Sequence, residues 1–299
     1  MRKKLIWIVL LILLVSCKDI SQDKNKINNS ESNNQFESDV SSNDLSKENK
    51  ILMSNMNGDK VLNEVCDVLN KSLDKDSVEN FKKSVSDYNK SVQGEGLLNE
   101  FKNTKQPEYN ISKLEELWSK EHGNFTGLNC RMNAFMLLKE NIEVNKIDFD
   151  DNLLFMDIDS NKLGKVFNDE EMDKFKSLFS RVKTEAVKDV NFHGEKMQKF
   201  LSQFKFNDNA RFISLAVHDN LDGDYLFIGH VGVLVKDKDG YLLVEKLSFQ
   251  EPYQAVKFQS KEDCYKYFYN KYENYSDDST SKPFIMDNEN FIDPTVYNN

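Results

Sequence analysis

The sequence predicts an α+β domain, with helices first and an antiparallel sheet after them. Three observations predict it. Apolar residues between 61 and 138 recur at helical spacing. Beyond residue 210 the texture changes to runs rich in β-branched and aromatic side chains. Between two of those runs, Asp237-Lys238-Asp239-Gly240 has the chemistry of a tight hairpin turn.

Ahead of that domain, residues 1–16 read as an export signal. Arg2, Lys3 and Lys4 form a positive start, and Leu5 to Val15 is an almost unbroken apolar run. A membrane-spanning helix needs about 20 such residues, so this run is too short to span and fits a signal-peptide core instead. It ends in Leu14-Val15-Ser16-Cys17. Small residues before a cysteine are what a lipoprotein signal peptidase accepts once the thiol carries a diacylglycerol. Cleavage is therefore expected before Cys17, with lipid on Cys17 holding the protein to the cell membrane on its extracytoplasmic face. Residues 18–50 are dominated by Ser, Asn, Asp, Lys and Glu. Such a stretch cannot bury enough apolar surface to offset its ordering entropy. It is expected as a disordered tether, with residues 51–299 forming one domain.

Charge and cysteine count narrow the partners. Without Arg2, Lys3 and Lys4 the chain keeps 37 basic against 50 acidic residues, a formal net charge of −13. An acidic surface repels phosphate backbones, so nucleic acid is not expected as a partner. With Cys17 consumed, Cys66, Cys130 and Cys264 remain. Three is odd, which argues against a disulfide scaffold and leaves stability to a packed core.

Along the domain, Val61, Leu62, Val65, Val68 and Leu69 mark a first helix, and Val78, Phe81, Val85, Tyr88 and Val92 a second. Ser112 and Glu115 have capping-box spacing before Leu114, Leu117 and Trp118. A helix follows over 130–141, with Cys130 in its first turn. Leu153 to Met156 reads as a short strand. Two further helices follow, one capped by Asn168 and one carrying Met197, Phe200, Leu201 and Phe204. Strands are expected over 212–217, 225–235 and 241–249. Ser260 caps a last aromatic helix, and Phe284 to Met286 is expected as an edge strand.

The candidate chemistry lies in three separated residues. A helix start carries partial positive charge, which favours the thiolate of Cys130. His230 sits within Ile228-Gly229-His230-Val231-Gly232, where the glycines are expected to leave the imidazole face open. A thiolate beside an imidazole is the arrangement that lets cysteine attack a carbonyl. A two-residue turn between Asp237 and Gly240 would set His230 opposite Leu247, and Glu245 diagonal to His230 on one face, about 7–8 Å away at Cβ. Glu245 could then orient the ring. A three-residue turn would put Lys246 there instead.

Asn129 to Phe135, Gly229 to Leu234 and Val244 to Ala255 resemble a family of bacterial lipoproteins known as domain of unknown function 4300. Leu52 to Met56 and Lys282 to Met286 match it as well. The likeness spans about 51–292 and brings no established activity. A looser likeness is to papain-like and NlpC/P60 cysteine hydrolases. It implies a papain-like core with an N-terminal helical extension, Cys130 as nucleophile, His230 as base and Glu245 as third member. It also implies an oxyanion held by the Cys130 backbone N–H and one side chain, either Asn129 or Gln250. The Asp-Cys-Ser-Gly motif is replaced by Asn129-Cys130-Arg131, and the Cys–His interval is longer; both departures bear on a cell-wall peptide substrate.

Other patterns carry less. Asp157, Asp159 and Asn161 have the spacing of a calcium loop's first ligands, but Lys162 and Asn168 stand where glycine and glutamate are needed, so a capped turn is expected. His122, His193 and His218 share no metal-ligand spacing. Neither metal nor cofactor is expected. The expected function is a surface-anchored hydrolase or acyl transferase acting on an amide or peptide bond. The rival is a non-catalytic binding lipoprotein in which the same three residues form a buried polar cluster.

Overall fold

Caps and apolar spacing lay out the helices of the first two thirds of the domain. The structure, a computed structural model, describes residues 51–144 and 148–298. The expected signal at 1–16, the expected lipid site Cys17 and the expected tether at 18–50 lie outside the described residues. Helices α1 (Asp59–Leu69) and α2 (Lys75–Ser91) bury the two expected stripes. Helix α3 (Ile111–His122) is capped by Asn110, whose side chain accepts from Lys113 N at 3.1 Å. The capping box expected of Ser112 and Glu115 does not form, because Ser112 already lies inside a helix started by the asparagine before it. Helix α4 (Cys130–Leu138) is buried on nearly every side and starts at the cysteine, as expected.

Helix α5 (Phe155–Gly164) replaces the strand expected over Leu153 to Met156. Asp150 accepts from Asn152 N, and Leu154 N bonds Asp151 O, so the chain enters the apolar run already turning. Four apolar residues do not by themselves separate strand from helix. The reciprocal Asn168–Glu171 capping box opens α6 (Asp169–Leu178), and Asp189 caps α7 (Val190–Leu201). Ser260 and Asp263 form a second capping box at α8 (Lys261–Tyr272).

The main sheet is antiparallel. Its strands are β1 (Ile51–Ser54), β2 (Lys102–Thr104), β4 (Val182–Lys183), β6 (Ala210–Asp219), β7 (Tyr225–Asp237), β8 (Gly240–Lys246), β9 (Tyr253–Phe258), β10 (Phe284–Asp287) and β11 (Asn290–Phe291). β3 (Ile142–Glu143) and β5 (Lys205–Phe206) form a separate ribbon. The order is β11-β10-β6-β7-β8-β9-β1-β2, with β4 also paired to β7. β10 is therefore an inner strand, where an edge strand was expected. β8 stops at Lys246, and β1, β2 and β9 add strands that the sequence did not announce. The hairpin register is the two-residue one: Asp237 pairs with Gly240 and Val233 with Val244. Gly240 is required there, since a Cβ would meet Phe258 O at 2.1 Å.

The sheet has an apolar layer on each face. Val231, Val233, Val244 and Ala255 pack with helices α1 to α7. Ile213, Leu215, Leu234, Leu243 and Val256 pack with Phe268, Tyr269 and Tyr272 of α8. β7 is the long central strand, and one of its edges is interrupted. Its ladder with β8 ends at Val233, and its ladder with β4 covers only Tyr225 and Leu226. Among the described residues, the interval 227–232 has no strand beside it on that edge. His230 lies in this interval.

Candidate active site

The interval lets side chains from the two faces meet. A β-bulge shifts the β6–β7 register between Leu215 and Ala216, so that His230 pairs with Leu215 and Ile228 with Ala216. His230 thereby joins the α8 face, where its ring lies 4.5 Å from that of Tyr272 and 5.4 Å from that of Phe268. The glycine beside it serves the bulge. A Cβ on Gly229 would strike Val217 Cγ2 at 2.7 Å, and one on Gly232 would strike Leu243 Cδ1 at 2.8 Å. Both glycines make room for neighbouring side chains, so the expected open imidazole face is instead covered by aromatic rings.

Glu245 keeps to the face that the turn parity assigned it. Its Oε2 lies 2.6 Å from His230 Nε2. The ladder ends before the expected His230–Leu247 pair can form, but the carboxylate spans the diagonal. Glu245 Oε1 accepts from Tyr267 Oη at 2.5 Å and Lys271 Nζ at 3.3 Å, both on α8. Burial opposes its charge, but Lys271 and the His230 bond prevail and bring its pKa down to about 2.

Cys130 comes from the opposite layer, at the first residue of α4. Asn129 caps that helix: its Oδ1 accepts from Met132 N at 3.0 Å, and its Nδ2 donates to Asp157 Oδ1 at 2.8 Å. Arg131 forks onto Asp157 through Nε at 3.1 Å and Nη2 at 2.7 Å. Its Nη1 reaches the Ile228 carbonyl, inside the unpaired interval of β7, at 3.5 Å. Burial disfavours the Cys130 thiolate, but the charge of His230, a hydrogen bond from it and the nearby Arg131 outweigh burial and lower the thiol's pKa. In turn burial disfavours the imidazolium, while Cys130 and Glu245 raise it to about 9. With Nε2 committed to Glu245, Nδ1 is the ring nitrogen left for sulfur. The arrangement is a thiol and an imidazole that each favour the other's charged form, backed by a carboxylate.

The other thiols differ. Burial pushes Cys66 up to about 11 and Cys264 well above its ordinary value.

The family described as Domain of unknown function (DUF4300) matches residues 52–292. The chain belongs to that family. No curated protein and no solved structure matches it. In this DUF4300 domain Cys130, His230 and Glu245 stand together. Asn129 is the helix cap, with both ends of its amide engaged. Gln250 lies in the β8–β9 loop, where its carbonyl accepts from Tyr88 Oη.

Several residues at the site have roles that the sequence alone did not assign them. Asp157, read as a failed calcium ligand, is a fully buried carboxylate on α5 that fastens Asn129 and Arg131. Asp159, two residues on, is exposed and pairs with Lys162. Lys246 points to the helical face, donates to the carbonyls of Ser248, Phe249 and Glu251, and lies 4.2 Å from the Tyr88 ring centroid. Burial pulls its pKa down to about 7. Tyr267 and Lys271 sit four apart on α8, a spacing that places both over one spot of the sheet.

Proposed function

We propose that this protein is a lipid-anchored surface lipoprotein, held by Cys17, whose domain is a thiol hydrolase or acyl transferase acting on an amide or peptide bond. The observation that carries the reading is the line from the Cys130 thiol through the His230 ring to Glu245 Oε2, with the thiol's pKa lowered while those of Cys66 and Cys264 are raised. The helix-borne cysteine, strand-borne histidine and hairpin acid follow the chain order of a papain-like core, and α1 to α3 would form its N-terminal extension. A peptide, including a cell-wall peptide, is the substrate class proposed.

The chemistry follows from the geometry. Cys130 Sγ attacks the carbonyl carbon, a C–S bond forms, and the carbonyl π electrons move to oxygen. The first-turn N–H of Cys130 is one that a helix leaves unpaired within itself, and it supports the oxyanion together with Gln250 from the neighbouring loop. The oxyanion re-forms the carbonyl, the C–N bond breaks, and the departing nitrogen takes the proton from His230. Water, or an amine in the transferase case, then attacks the thioester while His230 removes its proton, and the thiolate leaves.

A second reading rests on one observation: Cys130 is 6% exposed and His230 2%. In a binding lipoprotein the three residues would be a sealed polar cluster. The deciding experiment incubates native protein and Cys130→Ala with a panel of peptide and cell-wall amides and follows turnover and intact mass. Turnover or a thioester adduct in the native protein alone supports the hydrolase. Identical behaviour of the two, with slow electrophile labelling of Cys130, overturns it.

A further inference from the structure

Glu245 is a carboxylate with no exposed surface that faces two cations, His230 on one oxygen and Lys271 on the other. Lys271 Nζ also donates to Tyr267 Oη at 2.9 Å, and that hydroxyl donates to Glu245 Oε1. Gln254 Oε1 accepts from both the tyrosine, at 3.2 Å, and the lysine, at 3.5 Å. The lysine ammonium lies 5.0 Å from the Tyr267 ring centroid and 5.5 Å from that of Tyr272. Its side chain is only 17% exposed, and burial lowers its pKa while Glu245 holds it charged.

An opposite charge within about 4–6 Å shifts a pKa by roughly 1–3 units, and more strongly away from water. A buried carboxylate serving His230 alone would lock the imidazolium, and a shuttle that never releases its proton cannot complete acyl transfer. Glu245 and Lys271 together are formally neutral. We infer that Lys271 is a positioning residue for the proposed chemistry: by holding the second oxygen of Glu245 it divides the carboxylate's charge and leaves His230 able to give up its proton. The catalytic meaning of this role rests on the thiol-hydrolase reading above.

The other groups facing the ring are accounted for. From α4 come Cys130 and Arg131, the latter neutralised by Asp157 of α5. On β8, Lys246 points to the far face. From α8, Tyr267 and Tyr272 stay protonated, both far above the ordinary tyrosine value through burial and the charge of Glu245. Cys264 is likewise held as a thiol. Glu251 acts at longer range on Lys271 and on Tyr275, whose hydroxyl also feels Cys130. Lys271 is held charged chiefly by Glu245, its hydrogen-bonded partner, with Glu251 adding a weaker favourable charge.

The test is an NMR titration of the His230 ring in the intact domain, labelled with 13C-histidine. Lys271→Met raises the imidazole midpoint by about one unit or more, Glu245→Gln lowers it, and Lys271→Arg keeps it near native. The double variant Glu245→Gln/Lys271→Met, which leaves no unpaired buried charge but also lacks the carboxylate's bond to the ring, titrates above Glu245→Gln and below native. An unchanged midpoint in folded Lys271→Met overturns the inference. So does a double variant titrating with Glu245→Gln, and this outcome remains decisive where Lys271→Met does not fold. The readout uses no substrate. A protein that titrates as stated but forms no thioester retains the electrostatic assignment and loses the hydrolase reading.

Discussion

Replacing Asp157 with alanine is expected to cost far more than its place on an ordinary helix suggests. Its side chain has no exposed surface, and it accepts two bonds from Arg131 and one from Asn129. Removing one partner of a buried ion pair typically costs about 3–5 kcal/mol, because the other charge is left without compensation. Arg131 keeps a 16% exposed margin through which water can reach it, which places the expectation at the lower end, about 3 kcal/mol. In a domain of this size 1 kcal/mol moves the melting midpoint by about 2–4 °C, so the variant should melt roughly 6–12 °C below native. Asp159→Ala, which loses only an exposed pair with Lys162, should stay within about 0.5 kcal/mol. Thermal and urea unfolding of the two variants side by side is the assay. A loss below about 1 kcal/mol for Asp157→Ala, or equal losses for both, would refute the buried-clasp reasoning.

Three further outcomes are expected. A limiting dose of an electrophilic thiol reagent at neutral pH labels Cys130 ahead of Cys66 and Cys264, read by peptide mass spectrometry, because only its thiol is lowered. Glu245 is ordinarily protonated near pH 4.5 and in the fold only near about 2, so its contribution to stability is complete above the first value and lost as pH falls to the second. Urea midpoints taken between pH 6 and pH 2 should therefore drop more steeply for the native protein than for Glu245→Gln. Gly229→Ala forces a methyl onto Val217 at the bulge and is expected to cost about 1–3 kcal/mol and to slow Cys130 labelling as His230 is displaced; unchanged unfolding and labelling would contradict this.

The parts of this fold legible in the sequence are those fixed by local chemistry. Asp237 to Gly240 set the hairpin register, and through parity that register put Glu245, rather than Lys246, on the face of His230. The cap residues Asn168 and Ser260 likewise act within a few residues. What escaped depends on partners far along the chain. Ile51 to Ser54 becomes a strand only because Ala255 to Lys257 lie beside it, and β9 carries buried Gln254 where alternation would ask for an apolar residue. The glycines beside His230 signalled something particular, but a close approach of Val217 and an opening over a ring leave the same letters in a sequence. Asp157 was hidden because its partners Asn129 and Arg131 stand on another helix.

The placement of β1 has a consequence for how the chain acquires its structure. The first strand of the domain pairs with residues more than two hundred positions later, and the helices between them pack on a sheet built mainly from the last ninety. A chain emerging from its amino end thus makes its helices before the surface that shelters them exists. Contacts of such long sequence separation slow folding. The greasy stripes of α1, α2 and α4 would stay uncovered until β6 to β9 arrive, which makes the interval before β9 docks the time of greatest aggregation hazard.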